Sequence, residues 1–154
     1  MVDLKKIIIQ EILMRATALK NKYTKERNAT AAWACIFAQN NDEYNELLDE
    51  AKKFGSILKE TSSGPIFILD EAIGGTIKVL KIRKFDPNKK ERGDADFTIS
   101  NYNIFKEENL NKANFKLIPR DNFEMLELMD PNTNVLAYFS NPPIEEQYKS
   151  FLNK

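Results

Sequence analysis

The architecture is set by residues 31–85, which read AAWACIFAQNNDEYNELLDEAKKFGSILKETSSGPIFILDEAIGGTIKVLKIRKF. The small and aromatic run at 31–38 predicts a buried strand, and apolar residues recur at helical spacing over 44–54. Three more strand patterns follow, separated by turn residues, at 56–60, 65–70 and 76–85. The segment therefore predicts a βαβββ unit whose last three strands form an antiparallel meander.

The helix of this unit has clear end signals. Asn40, Asn41 and Asp42 come just before it, and such side chains accept hydrogen bonds from the free N–H groups of a first helical turn. Gly55 follows the last apolar residue, and glycine favours the left-handed conformation in which many helices end. We therefore expect the helix to end at Gly55 in a left-handed cap.

Residues 93–140 repeat the same order of elements with shorter parts. A strand pattern at 94–99 precedes a short helix that Ser100 or Asn101 can cap. Three further strand patterns occur at 115–119, 123–129 and 135–139. The repeat is one of topology, without convincing residue identity, and it predicts an α+β fold in which two βαβββ units form one curved sheet. A ferredoxin-like α+β sandwich is the alternative, because its order of elements is similar.

Two helices are expected outside the units. Residues 1–28 contain a long amphipathic helix, and residues 142–152 form a closing amphipathic helix after Pro142 and Pro143. We predict that residues 1–154 form a single domain, with the charged segment 86–92 connecting the two units. The apolar stripe of the first helix must be buried either on its own sheet or in a homodimer.

Composition excludes several classes of protein and of chemistry. With 42% apolar residues and 23 basic against 23 acidic side chains, the chain is neither disordered nor of low complexity. Charges surround the short apolar run at 7–9, so we expect no signal peptide, no membrane partner and a cytoplasmic location. The chain has no histidine and one cysteine, Cys35, which rules out Ser-His-Asp and Cys-His catalysis and histidine-based zinc sites.

A family resemblance rests on short blocks within both units. They are AWACIF at 32–37, the helix carrying Tyr44, Leu47 and Leu48, GSILKE at 55–60 and GDADFTI at 93–99. These blocks resemble the YecM family, and the duplicated unit resembles the vicinal-oxygen-chelate scaffold of glyoxalase I and the extradiol dioxygenases. The resemblance implies a metal-binding protein of the glyoxalase/bleomycin-resistance/dioxygenase-like fold.

The same resemblance implies where metal ligands would lie. The family's histidines correspond to Trp33 and Asp94, its glutamate corresponds to Lys81, and a final-strand carboxylate falls near Ala137. Only Asp94 among these residues is a metal ligand, and one carboxylate beside an ammonium group does not hold a transition metal. We therefore predict a scaffold without metal and without cofactor.

Strand alternation predicts which side chains face the cavity between the units. Seven residues are candidate ligand-binding residues: Trp33, Cys35, Phe37, Lys81, Arg83, Asp94 and Asp96. We expect Lys81 to pair with Asp94, and we expect a small anionic or amphipathic ligand to place its anionic group near Lys81 and Arg83. In the alternative interpretation Trp33 fills the cavity and belongs to the core. Cys35 is expected to be a neutral, structural thiol.

Two other functions stay open at this stage. A divalent-metal enzyme of the vicinal-oxygen-chelate type would use oxygen ligands from Asp94, Asp96 and Glu124 or Glu127. A nucleic-acid adaptor would use residues 78–92, which contain seven basic and two acidic side chains. A solvated surface explains such a basic stretch more simply, so we expect no nucleic-acid partner. Whether the protein is an enzyme stays open, with ligand binding or interaction favoured over catalysis.

Overall fold

A computed structural model describes residues 1–152 of the chain. The helices are α1 (Leu4–Lys6), α2 (Met14–Tyr23), α3 (Asn41–Phe54), α4 (Tyr102–Asn109), α5 (Ile144–Gln147) and α6 (Lys149–Leu152), with a π-helical segment at Ile7–Leu13. The strands are β1 (Ala31–Phe37), β2 (Gly55–Lys59), β3 (Ile66–Ile73), β4 (Ile77–Arg83), β5 (Gly93–Phe97), β6 (Phe115–Pro119), β7 (Glu124–Leu128) and β8 (Val135–Asn141).

All eight strands form one curved sheet in the order β2-β3-β4-β1-β5-β8-β7-β6. In the first unit β1 lies parallel to β4, and β2, β3 and β4 form an antiparallel meander. In the second unit β5 lies parallel to β8, with β6, β7 and β8 as the meander. Antiparallel pairing of β1 with β5 joins the units. The predicted α+β class and the two βαβββ units are confirmed, and the ferredoxin-like alternative is wrong.

The first helix is continuous from α1 through the π-helical segment into α2, and it lies across the centre of the sheet. Its apolar side chains are buried: Leu4, Ile7, Ile8, Ile12, Ala16 and Leu19. The close fit is visible at Gly93, where a Cβ atom would lie 2.7 Å from Cδ1 of Ile12 and 2.1 Å from the Cys35 carbonyl oxygen. The chain's own sheet therefore covers the stripe, which is one of the two outcomes expected for it. A homodimer through this helix stays a prediction.

Helices cover one face of the sheet and enclose most of the core there. Phe97, Phe105, Phe115 and Phe139 form an aromatic cluster in the second unit, with ring centroids of Phe105 and Phe139 4.6 Å apart. Because side chains alternate along a strand, burying Ala95 and Phe97 against the helices turns Asp94 and Asp96 to the opposite face. The helix-covered core thus determines what faces the candidate site.

Helix α3 begins as predicted but ends differently. The Asn40 side chain accepts a hydrogen bond from the Glu43 N–H at 2.8 Å, which confirms a capping role for this segment. The left-handed cap at Gly55 is wrong, because Gly55 is extended at φ −177° and is already the first residue of β2. Glycine is required there by space: a Cβ atom would lie 2.1 Å from the Ile68 carbonyl oxygen.

The C-terminal segment lies on the face of the sheet that the other helices leave open. The predicted helix over 142–152 is instead two short helices, α5 and α6, separated at Tyr148. Ile144 of α5 is buried against Ile66 and Val79 in a small second core. None of the helices within residues 1–152 combines the length and the apolar composition needed to cross a bilayer.

Candidate functional site

The open face of the sheet presents a regular array of side chains from the four central strands. Cys35 of β1 is paired with Lys81 of β4 on one side and with Asp94 of β5 on the other. Two residues earlier on β1, Trp33 pairs with Asp96 of β5. Paired residues project to the same face, so this register brings groups from both units together.

These side chains surround a pocket of about 260 Å³. Six of the seven predicted residues line it: Trp33, Cys35, Lys81, Arg83, Asp94 and Asp96. Phe37 lies outside the lining, although the Arg83 guanidinium lies 5.5 Å from the centre of its ring. Trp33 is half-buried beside this volume, so it forms a wall of the pocket and does not fill it.

Eight lining residues were not predicted from the sequence. They are Arg120, Phe123, Met125, Tyr138, Ser140, Ile144, Gln147 and Tyr148. Tyr138 and Ser140 alternate along β8 on the face that Asp94 and Asp96 share, so strand periodicity was a usable signal for them. Arg120 lies beyond the end of β6, Gln147 is the last residue of α5, and Tyr148 lies in the turn between α5 and α6, where no strand periodicity identifies a neighbour.

Asp96 is a buried carboxyl group with partners for both of its oxygens. Oδ1 accepts a hydrogen bond from the Ser140 backbone N–H at 3.3 Å, and Oδ2 is bonded to the Ser140 hydroxyl. Burial raises the pKa of Asp96 to about 7, and the two Ser140 bonds oppose that rise. Asp96 and Ser140 therefore form a closed pair that fixes β5 against β8.

Asp94 has a different environment although it lies only two residues away. Its residue is 7% exposed, and Oδ1 accepts a long hydrogen bond of 3.3 Å from Nε1 of Trp33. Within residues 1–152 its other oxygen, Oδ2, forms no hydrogen bond. Burial and then the charge of Asp96 raise the pKa of Asp94 to about 8. At neutral pH Asp94 is therefore mainly an uncharged carboxylic acid.

Three cationic side chains line the same pocket: Lys81, Arg83 and Arg120. In the described part of the chain none of them forms an ion pair with a carboxylate. Burial lowers the pKa of Lys81, while the nearby Cys35 and Asp94 oppose that fall. Lys81 and Asp94 lie on either side of Cys35 and influence each other electrostatically, but they form no direct ion pair in the described part of the chain, so their expected pairing stays a prediction.

Cys35 lies between the cationic and the carboxyl sides of the pocket. It is buried and free of any disulfide. Burial, followed by the charge of Asp94, raises the pKa of its thiol well above the ordinary value. A thiol with a raised pKa is a poor nucleophile, so the geometry agrees with a structural role.

The residues present do not fit the metal that the scaffold's relatives imply. Trp33, Lys81 and Asp94 line one pocket, but only Asp94 carries a metal-binding atom. On the final strand Ala137 faces the helix-covered core, and no carboxylate of β8 faces the pocket. Among the residues described, no group of three or more potential ligands of the His, Cys, Asp or Glu type comes together.

The carboxylates proposed for a metal enzyme also point in different directions. Glu124 accepts hydrogen bonds from the Tyr102 hydroxyl at 2.8 Å and from Lys106 at 2.9 Å, on the helix side of the sheet. Glu127 accepts a hydrogen bond from the Tyr138 hydroxyl at 2.7 Å. Glu124 therefore cannot share a metal ion with Asp94 across the sheet.

The C-terminal helices form one side of the pocket. The Tyr148 ring lies nearly parallel to that of Trp33, with an interplanar angle of 18° and centroids 6.2 Å apart. Glu145 accepts a hydrogen bond from the Thr98 hydroxyl at 2.7 Å, which fastens α5 to the sheet. The apolar side of the pocket is thus formed by Trp33 of β1 and by Tyr148, which directly follows the short helix α5.

A second depression, of about 310 Å³, lies between the first helix and β3. Its cations already have partners: Lys5 lies 5.2 Å from the centre of the Phe54 ring, and Lys53 pairs with Glu50 at 2.9 Å. Asp70 lines the same depression and adds negative charge. This depression therefore lacks the unpaired cations that distinguish the pocket at Trp33.

The basic stretch at 78–92 does not form one surface. Lys81 and Arg83 face the pocket, whereas Arg92 is buried and bonded to Glu43 at 2.6 Å. Lys78 donates to the Asp70 carbonyl oxygen at 2.8 Å. The stretch therefore lacks the continuous row of cations that follows a nucleic-acid backbone.

Comparisons with known proteins show similarity of fold. No protein-family model matches the chain, and no curated protein matches it. A solved structure titled "Structural Genomics, Protein EC4020" superposes with a TM-score of 0.67 at 13% identity, covering 90% of this chain and 88% of that one. A glyoxalase/bleomycin resistance protein/dioxygenase superfamily member from Vibrio splendidus 12B01 gives a TM-score of 0.44 at 7% identity, covering 73% of this chain and 97% of that one. The first of these similarities shows that the chain shares its fold with a known structure.

Proposed function

We propose that the protein binds a small organic anion in the pocket at Trp33, on a glyoxalase-like scaffold that has lost its histidine metal ligands. The observation that carries the proposal is the convergence of Lys81, Arg83 and Arg120 on one pocket, where, among residues 1–152, none of the three forms an ion pair with a carboxylate. The YecM-like relationship is part of the proposal and rests on the sequence blocks at 32–37, 55–60 and 93–99.

The charge state of the two buried carboxyl groups supports an anionic ligand. Burial raises the pKa of Asp94 to about 8 and that of Asp96 to about 7, so at neutral pH they carry less than two negative charges together. The three cations then leave the pocket positive overall. An arriving anion gains charge-assisted hydrogen bonds there, and the two arginines can bind a carboxylate in bidentate fashion.

The apolar lining supports a ligand with an uncharged, flat part. Trp33 and Tyr148 contribute two nearly parallel rings, and Phe123 and Met125 add further apolar surface. Binding sites for small molecules commonly combine such surfaces with a few polar groups that fix the ligand's orientation. A short acid with an aromatic or aliphatic body fits both parts of the pocket.

The sequence offers a direct optical test, because Trp33 is the only tryptophan in the chain. Titration with phenylacetate should change Trp33 fluorescence in a saturable manner. Arg83→Gln should weaken binding about tenfold or more, since it removes a charge-assisted hydrogen bond. Lys84→Gln is the matched control, because Lys84 is exposed and lies outside the pocket. Absence of saturation, or equal weakening by both variants, would contradict the proposal.

A further inference from the structure

The two carboxyl groups of the pocket differ in how fully their oxygens are used. Both oxygens of Asp96 are bonded to Ser140. Within residues 1–152 Asp94 accepts one hydrogen bond, from Trp33, and its Oδ2 atom has none, although the residue is only 7% exposed. The buried side-chain atom without a hydrogen-bond partner in the described residues is Nε of Arg92, so Oδ2 of Asp94 is instead open to the pocket, where a ligand atom can bond to it.

The surroundings decide whether this oxygen donates or accepts. Asp94 faces Cys35 from β1, Lys81 and Arg83 from β4, Tyr138 from β8, and Asp96 from its own strand. Desolvation is the largest influence and favours the uncharged acid, as the raised pKa of about 8 indicates. An uncharged carboxylic acid has one O–H donor, and no acceptor bonded to Oδ2 is present within the described residues.

The register fixes the separation of this donor from the cations. Lys81 and Asp94 flank Cys35 on neighbouring strands, so their Cα atoms are two strand spacings, or about 10 Å, apart. Both side chains project to the same face and line the pocket. A ligand that bridges them is therefore short, with its two polar ends a few ångströms apart.

We infer that the ligand is a short carboxylate carrying a second, uncharged oxygen acceptor, such as the carbonyl of a keto acid, which receives a hydrogen bond from Asp94. This inference rests on the proposed function and specifies its ligand class. The carboxylate end lies at Lys81 and Arg83, the chain passes over Cys35, and the carbonyl oxygen lies at Oδ2 of Asp94.

The test compares two probes that differ only in the carbonyl group, 4-oxopentanoate and pentanoate, by titration of Trp33 fluorescence at pH 6.5. The oxo acid should bind about fivefold more tightly, as one net hydrogen bond predicts. Asp94→Asn should keep the preference, because the amide N–H group also donates. Asp94→Ala should abolish the preference, because alanine has no side-chain hydrogen-bond donor.

A second readout does not depend on any variant. At pH 9.5 Asp94 is mainly ionised and becomes an acceptor, so the wild-type preference for the oxo acid should disappear. Equal binding of both probes at pH 6.5 would overturn the inference and leave the proposed function intact. Failure of both probes and of phenylacetate to bind would overturn the proposed function and the inference together. A preference that survives in Asp94→Ala would also overturn the inference.

Discussion

The two βαβββ units have the same topology but present different side chains to the pocket they share. The first unit contributes Trp33 together with the cations Lys81 and Arg83. The second contributes Asp94 and Asp96 from the strand that corresponds to β1, together with Arg120 beyond the end of β6. The site is thus polarised along its central strands, with the cations of β4 on one side of β1 and the buried carboxyl groups of β5 on the other. The distribution of charge in the pocket is therefore determined by which side chains the register of the central strands brings together, and not by similarity between the two units.

The units also differ in how their helices join the following strand. In the first unit α3 passes directly into β2 at Gly55, whereas in the second unit residues 110–114 separate α4 from β6. Their cores differ too, since three phenylalanines pack around Phe139 in the second unit, while the first unit relies more on aliphatic side chains such as Leu80 and Ile82. These differences lead to unequal effects of substitution at related places.

The largest effect is expected in the aromatic core of the second unit. Phe139→Ala removes a fully buried ring in contact with Phe97 and Phe105, and should lower the free energy of unfolding by about 3–5 kcal/mol. Ile82→Val in the first unit should cost only about 0.5–1.5 kcal/mol. Urea denaturation measures both values. A loss below about 2 kcal/mol for Phe139→Ala would contradict the close packing of its ring against Phe97 and Phe105.

A smaller effect is expected at the direct helix-to-strand junction. Gly55→Ala places a Cβ atom 2.1 Å from the Ile68 carbonyl oxygen, so the backbone of β3 must shift. We expect a loss of about 2–3 kcal/mol. Asn111→Ala, in the exposed α4–β6 connection, should stay within about 0.5 kcal/mol of the wild type. Thermal denaturation of both variants is the measurement, and a harmless Gly55→Ala would contradict the spatial explanation.

The pH dependence of stability tests the carboxyl side of the second unit, and the size expected for it is a lower bound. The folded-state pKa of Asp94 is about 8, above the ordinary 3.8, so the folded chain holds a proton that the unfolded chain releases. The free energy of unfolding should therefore fall as pH rises from about 4 to about 8. Asp94→Asn removes this contribution, and relative to the wild type it should gain at least about 1 kcal/mol between pH 5 and pH 8. An unchanged pH dependence in the variant would contradict the prediction.

Much of the fold could be predicted because it depends on local patterns. Alternation and turn residues gave the order of both units, and Asn40 was recognised as part of a cap. The close approach of Gly55 to Ile68 could not be predicted, since it depends on the pairing of β2 with β3. The π-helical segment at Ile7–Leu13 likewise has no periodic signal that separates it from an α-helix.

The candidate site could be predicted only in part, for a related reason. Strand alternation is a local property, and it identified Trp33 and Asp94 as members of one face. Arg120 and Tyr148 approach the pocket from segments that are distant in sequence and lack strand periodicity. The raised pKa of Asp94 depends on burial by these distant segments. The sequence alone therefore could not show whether Asp94 carries the negative charge that an ion pair with Lys81 needs.

The polarised pocket depends most directly on the charge state of Asp94. Carbon-13 NMR of aspartate carboxyl groups, recorded across pH and assigned with Asp94→Asn, measures that state. We predict that Asp94 titrates at about pH 8, which leaves the cations of the first unit unneutralised at pH 7. Titration near the ordinary value of 3.8 would place a full negative charge opposite Lys81 and would contradict the proposed attraction for anions.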